Sequence, residues 1–75
     1  MNATLFSGKW VELDPNGRIP DAPTFIEFRD YCRDHIEDIM WNDKPTPSYF
    51  FNNICTKIMF VRAEDELLFK LRFGL

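Results

Sequence analysis

Two cysteines and one histidine supply the metal-binding and thiol chemistry that this 75-residue chain has to offer. Cys32 and His35 are three residues apart, a spacing that places both on one face of a helix, and Cys55 would have to approach from another element. Structural zinc sites use four cysteine or histidine ligands, so a carboxylate would have to complete this set. Cys32 lies in an apolar stripe, where a thiol behaves as a small hydrophobic side chain. We therefore predict no metal site.

The same residues are the candidates for cysteine–histidine catalysis. A nucleophilic thiol needs solvent access and a lowered pKa, and the apolar surroundings expected for Cys32 supply neither. The three glycines are isolated and form no phosphate-binding loop, and the sequence has no serine-elbow or paired-carboxylate motif. We predict no catalytic residue, no cofactor and no enzymatic activity.

A predicted helix from about Phe25 to Trp41 carries Cys32 and His35. Its start is indicated by Asp21 and by the capping-box spacing of Thr24 and Glu27. Apolar residues then recur at helical spacing and predict a core-facing stripe. The members of this stripe are Phe25, Phe28, Cys32, Ile36, Ile39 and Met40.

Residues 54–62 and 67–73 predict an antiparallel β-hairpin, because both segments are rich in β-branched and aromatic residues and a polar connection joins them. Pairing Arg62 with Leu67 sets the larger apolar side chains on one face, and a slip of one residue would scatter them over both faces. The inward pairs are then Phe60 with Phe69 and Ile58 with Leu71. The outward pairs are Val61 with Leu68, Met59 with Lys70, and Lys57 with Arg72.

Residues 5–13 predict a further strand, followed by a turn over residues 14–17 and a short edge strand over residues 18–20. The predicted fold class is α+β, with a three- to four-stranded, mainly antiparallel sheet and one helix packed on one face, in the order β-(β)-α-β-β. We expect a single small domain over residues 1–75, because eight Phe, two Tyr and two Trp supply a rich core.

The outer face of the predicted helix is acidic. Asp30, Asp34 and Asp38 follow one another at spacings of four, which sets like charges side by side. A solvated helix more often has lysines between its acidic residues. Two interpretations stay open: an acidic docking surface, or a solvated face.

The outward face of the predicted hairpin combines an apolar patch with three cations, Lys57, Lys70 and Arg72. Cations that lie directly opposite each other are unfavourable without an anion nearby, so these three are candidate contacts for an anion or a partner. Either the N-terminal segment or a partner is expected to cover the apolar part, because one helix cannot cover both faces of a sheet.

The aromatic residues Trp41, Tyr49, Phe50 and Phe51 are the candidate anchors of a protein interface, since aromatic side chains dominate interface energetics. In a domain of this size they could equally form a lid over one end of the core. The sequence leaves both interpretations open.

The net charge of −3 argues against a protein that coats nucleic acid and against docking on anionic membranes. No apolar run is long enough to span a bilayer, and residues 1–8 lack the features of a secretion signal. Two cysteines do not make a disulfide framework. We therefore expect a cytoplasmic protein with no membrane partner, for which nucleic acid is the least favoured partner.

The closing residues 64–75, EDELLFKLRFGL, resemble the ends of small uncharacterised proteins encoded by tailed bacteriophages. The resemblance covers that stretch alone and assigns a role to no residue. It implies an accessory protein made in the cytoplasm of an infected bacterium, or a small component of the virion.

The hypothesis that follows is a non-enzymatic protein-binding module that docks on and modulates a larger host or viral protein. The alternative is a structural subunit of a virion or another assembly, in which the acidic helix face of one copy meets the basic sheet face of the next. The third hypothesis is binding of single-stranded nucleic acid by the aromatic residues and the three cations, which the net charge favours least.

Overall fold

The computed structural model of the protein describes residues 9–75, and in that range the chain forms two helices and five short strands. The elements are β1 (Trp10–Glu12), α1 (Ala22–His35), β2 (Ile39–Trp41), β3 (Lys44–Thr46), β4 (Tyr49–Phe51), β5 (Lys57–Phe60) and α2 (Ala63–Phe73). The predicted α+β class with antiparallel pairing is confirmed. The prediction of one helix on one sheet is wrong, because the described part of the chain has two helices and two separate sheets.

The larger sheet has the strand order β1-β5-β4, and both of its strand pairs are antiparallel. Its central strand, β5, lies inside the predicted strand segment 54–62. β1 lies inside the predicted strand 5–13, of which residues 5–8 fall outside the described residues. The predicted turn that follows is present, with the Gly17 amide donating to the Asp14 carbonyl at 2.9 Å. Residues 18–20, predicted as an edge strand, have no strand structure.

The second arm of the predicted C-terminal hairpin is a helix, α2, so the predicted register is wrong. Three acidic residues occupy its first turn and two basic residues its last turn, which complements the helix dipole. Gly74 ends it in the left-handed conformation (φ 70°), and the Leu75 amide donates to the Lys70 carbonyl at 2.9 Å. Because Phe69 and Phe73 are four residues apart, both side chains reach the core from a helix.

α1 begins at Ala22, three residues before the predicted start at about Phe25, and its cap is Asp21 and not Thr24 of the predicted capping box. The carboxylate of Asp21 accepts a hydrogen bond from the Thr24 amide at 3.0 Å, and Pro23 lies in the first turn, where its missing N–H costs nothing. The side-chain and backbone hydrogen bonds of Thr24 lower the pKa of the Asp21 carboxyl. The helix buries Phe28 and Cys32, two members of the predicted stripe.

The end of α1 differs from the prediction. The helix stops at His35, and Ile36 is extended (φ −110°, ψ 121°) although its side chain remains in the core. Residues 39–41, predicted to continue the helix, form β2 and pair with β3. The cause is a two-residue turn in which Asn42 and Asp43 both have positive φ, 53° and 62°, the conformation that joins two strands in a tight hairpin.

Both helices pack on one face of the larger sheet, which is the inner face. Alternation along β5 turns Ile58 and Phe60 inward, and the ring of Phe60 lies 5.2 Å from that of Phe69 in α2. The ring of Phe28 in α1 lies 5.6 Å from the same phenylalanine, so the sheet and both helices share one core. Its buried members are Val11, Leu13, Phe28, Cys32, Ile36, Ile58, Phe60 and Phe69.

The loop from β4 to β5 is organised by Asn52. Its Oδ1 accepts hydrogen bonds from the amides of Thr56 at 2.8 Å and Lys57 at 3.0 Å, and its Nδ2 donates to the Thr56 hydroxyl at 2.8 Å. The Cys55 amide donates to the Asn52 carbonyl at 3.1 Å, with Cys55 in the left-handed region (φ 58°). This loop sets the register between β4 and β5.

Candidate protein-binding surface

The outer face of the larger sheet, away from both helices, presents a row of large apolar side chains. Met59 in the central strand β5 lies directly opposite Trp10 in β1 and opposite Phe50 in β4. Their neighbours along the strands, Val11 and Ile58, point into the core, so alternation turns the row outward. Trp10 is 46% exposed and Phe50 is 44% exposed.

The row continues onto the β2–β3 hairpin through a shallow depression of about 350 Å³. Its lining consists of Ile39, Trp41, Thr46 and Phe50 and is almost entirely apolar. Trp41 is 66% exposed, the greater part of its indole being open to solvent. The outer aromatic surface is therefore one continuous feature formed by Trp10, Met59, Phe50, Ile39 and Trp41.

Three hydrogen bonds close the base of the hairpin and fix it to the body of the protein. The hydroxyl of Ser48, which is fully buried, donates to the Glu37 carbonyl at 2.8 Å, and Arg62 Nη1 donates to the same carbonyl at 3.1 Å. The Val61 amide donates to the Ser48 carbonyl at 2.9 Å. These bonds connect the chain before β2 and the chain after β3 to the β5–α2 junction, so they hold Trp41 in place relative to the sheet.

The other face of the hairpin carries Met40 and Pro45, which lie opposite each other in the ribbon. Met40 is 67% exposed. In a hairpin with a two-residue turn, the two residues that flank the turn, here Trp41 and Lys44, are hydrogen-bonded to each other. The next pair, Met40 and Pro45, is not, so the backbone N–H and C=O positions of these two residues point away from the partner strand. Pro45 is accommodated because this position needs no N–H inside the ribbon.

The predicted aromatic anchors separate into two groups. Phe50 points outward with Trp41, whereas Tyr49 and Phe51 face the core opposite Phe60 and Ile58. Burial raises the pKa of the Tyr49 hydroxyl. The ring of Phe51 lies 4.9 Å from Phe25 of α1. Tyr49 and Phe51 thus pack against the core, as the lid interpretation expects, whereas Trp41 and Phe50 are exposed.

The predicted acidic residues do not form one ladder. Asp30 and Asp34 lie on α1, but Asp38 follows the end of the helix. Arg33 lies 3.5 Å from Asp30 and 3.1 Å from Asp34, and Arg29 lies 3.4 Å from Asp30. The hydrogen bond and the charge of Asp34 raise the pKa of Arg33. The two arginines offset the acidic charge of this face, while such exposed pairs add little stability.

The three predicted cations are also separated. Lys57 lies on the sheet opposite Glu12, not opposite Arg72. Lys70 and Arg72 belong to α2, where Lys70 Nζ lies 3.8 Å from Glu66 and the Arg72 guanidinium lies 5.1 Å from the centre of the Phe73 ring. The predicted cationic sheet face was wrong because it depended on a strand that is in fact a helix.

The thiols and the histidine do not come together as a reactive site. Cys32 is fully buried in the core, and burial raises its pKa to about 12, so it remains a neutral thiol near pH 7. His35 stacks on Tyr31 with ring centroids 4.5 Å apart, and Cys55 lies in the β4–β5 loop. Within residues 9–75 no cluster of three His, Cys, Asp or Glu side chains has the geometry to hold a metal ion.

Sequence reasoning missed the contribution of Trp10 and Ile39 to the outer aromatic surface. The alternation of polar and apolar residues around Val11 could have assigned Trp10 to the solvent side of a strand. The predicted helical stripe includes Ile39 because the predicted helix extends past His35, where α1 ends. In residues 9–75 no helix is long and apolar enough to cross a membrane.

Comparisons with known proteins found no relative of this chain. No protein-family model matches the chain, and neither a curated protein nor a solved structure matches it.

Proposed function

We propose that the protein is a non-enzymatic binding module that docks on a larger protein through the outer aromatic surface. The observation that carries this proposal is the continuity of Trp10, Met59, Phe50 and Trp41 on one side of the molecule. The core does not need these side chains, because the inner face of the sheet is already packed by both helices.

The composition of this surface is typical of the centre of a protein interface. Tryptophan, phenylalanine and methionine are enriched in interface cores, and the largest losses of binding energy follow the removal of such anchors. The depression beside Trp41 can accept one or two apolar side chains of a partner. Glu12 and Lys57, opposite each other on the same sheet face, supply charges at the border that orient the partner rather than bind it tightly.

The partner in this proposal is a host or viral protein, and the protein itself is an accessory protein of a tailed bacteriophage. The resemblance of residues 64–75 supports that setting. The acidic residues on and after α1 are secondary contacts in this scheme, because Arg29 and Arg33 already offset much of their charge.

The test is capture of a partner by the immobilised full chain from nuclease-treated bacterial lysate at moderate salt. We expect one stoichiometric protein that is retained by the original chain and by Ile54→Ala, and lost with Trp41→Ala and with Phe50→Ala. Ile54 is the matched control, because it is an apolar residue of similar exposure (56%) in the β4–β5 loop, outside the outer aromatic surface.

Thermal melting followed by circular dichroism accompanies each variant. Trp41→Ala should leave the melting temperature within a few degrees of the original, because most of the indole is exposed. Retention that is the same for Trp41→Ala, Phe50→Ala and the control would count against the proposal. Salt-sensitive binding of an added mixed-sequence oligonucleotide, with no protein captured, would favour nucleic-acid binding.

A further inference from the structure

The helix α2 is apolar on two opposite faces. Phe69 and Phe73 point into the core, whereas Leu67, Leu68 and Leu71 are 58%, 54% and 70% exposed. At 3.6 residues per turn the centres of the two groups are about 170° apart around the helix axis. These three leucines form one stripe at spacings of three and four residues, here named the leucine stripe. A helix that is apolar on both sides is typical of one that is covered on both sides.

We propose that the leucine stripe is covered by the same stripe of a second copy of this chain, with the two α2 helices antiparallel. The charges of α2 favour this occupant and this direction. The first turn carries Glu64, Asp65 and Glu66, and the last turn carries Lys70 and Arg72. Antiparallel pairing sets the acidic end of each helix beside the basic end of the other, whereas parallel pairing would set like charges together.

Two of these charges are free to pair across such an interface. Asp65 already lies 3.5 Å from Arg62, and Glu66 lies 3.8 Å from Lys70. Among the residues that the structure describes, Glu64 and Arg72 have no ion-pair partner, and both are exposed. A two-fold symmetric dimer would use each of them twice, as Glu64 with the partner's Arg72 and the reverse.

Helix geometry allows both sets of contacts at once. A two-fold axis near residue 69 sets Leu67 opposite the partner's Leu71. Glu64 then lies about two residues, or about 3 Å along the axis, from the level of the partner's Arg72, within reach of these long side chains. A groove of about 270 Å³, lined by Lys9, Ala63, Glu66 and Lys70, borders the stripe beside Leu67.

This interface is distinct from the surface of the proposed function. The stripe points away from the inner face of the sheet, so a dimer built on it leaves the outer aromatic surface of both copies free. Trp41→Ala and Phe50→Ala should accordingly leave dimerisation unchanged. Docking through the outer aromatic surface and dimerisation through the leucine stripe can therefore fail independently of each other.

Sedimentation equilibrium of the full chain over a concentration series from micromolar to millimolar is the first test. We expect a monomer–dimer equilibrium that Leu71→Asp shifts to monomer by a factor of a hundred or more in dissociation constant, since it buries a charge among leucines. The control Ile54→Asp, at a similarly exposed apolar site off the stripe, should keep the dimer. A circular dichroism spectrum shows that each variant is folded.

The direction of the helices is tested by exchange of charge. Glu64→Arg and Arg72→Glu should each weaken the dimer about tenfold at low salt, and the double variant should restore it. A chain that stays monomeric at millimolar concentration would overturn the proposal, as would a dimer that survives Leu71→Asp. Failure of the double variant to restore the dimer would overturn the antiparallel arrangement. A monomer that cosediments with neutral vesicles would assign the stripe to lipid instead.

Discussion

Replacing Asn52 with alanine should destabilise the protein by about 2 kcal/mol, because a single side chain organises the β4–β5 loop. The substitution removes the acceptor of the Thr56 and Lys57 amides and the donor to the Thr56 hydroxyl. Each hydrogen bond contributes about 0.5–1.5 kcal/mol net, and an amide left unsatisfied in a buried place costs more. Thr56 is only 7% exposed, so water replaces these bonds incompletely.

The assay is urea and thermal unfolding followed by circular dichroism at a single low protein concentration. For a domain of this size 2 kcal/mol lowers the melting temperature by about 10 °C. Asn52→Asp is the matched variant, because it keeps the acceptor oxygen and can accept a hydrogen bond from the Thr56 hydroxyl. It should lose less than about 1 kcal/mol. Asn53→Ala, at the exposed neighbouring position, should change nothing measurable.

Two results would contradict this prediction: a loss of less than about 0.5 kcal/mol for Asn52→Ala, or a loss for Asn52→Asp as large as that for Asn52→Ala. The first result would mean that the loop is held by its backbone bonds alone. The second would mean that the amide nitrogen, and not the shared acceptor oxygen, is the important group.

Four further predictions rest on burial and backbone geometry. In the native protein a thiol reagent should modify Cys55 and spare Cys32, as checked by mass spectrometry. Because burial holds the pKa of Cys32 near 12 while the unfolded thiol ionises near pH 9, stability should fall as the pH rises above 9, and Cys32→Ala should remove the part of that fall that begins near pH 9 in urea titrations. Asp43→Gly should stabilise the β2–β3 hairpin by about 0.5 kcal/mol, seen as slower amide exchange in the ribbon, because glycine adopts positive φ without strain. Phe69→Ala should cost about 3–5 kcal/mol in chemical unfolding and Leu71→Ala less than about 1 kcal/mol at a concentration where the chain is monomeric; equal losses would contradict the helical assignment of α2.

The C-terminal helix was mistaken for a strand because two periodicities coincide there. Phe69, Leu71 and Phe73 alternate as in a strand, but Phe69 and Phe73 are also four residues apart, as on one face of a helix. The signals that favour the helix were present in the acidic start, the basic end and Gly74. These helix signals lie at the two ends of the segment, whereas the strand prediction depended on the alternation of large side chains in its middle.

The start of α1 was predictable, because a capping residue and a proline act within one turn of the chain. Its end was not, because Ile36 and the residues of β2 continue the helical spacing of apolar side chains. The Asn42–Asp43 turn, directly after the predicted helix end at Trp41, marks the change to a hairpin. Trp41 and Phe50 could be predicted as surface anchors from their residue type. Trp10 joins the outer aromatic surface only because β1 pairs with β5, which lies far along the chain.

Pro45 limits how strands of other molecules can pair with the β2–β3 hairpin. A short ribbon with open edges invites strands of other chains to pair with it, which is a common route to aggregation. At the middle of β3 the outward edge has no N–H to donate, and the strand is only three residues long. On the β3 side a foreign strand therefore finds no continuous ladder to extend. The hairpin can display an exposed tryptophan and methionine while its β3 edge resists strand addition, and recognition at that edge depends on side-chain shape.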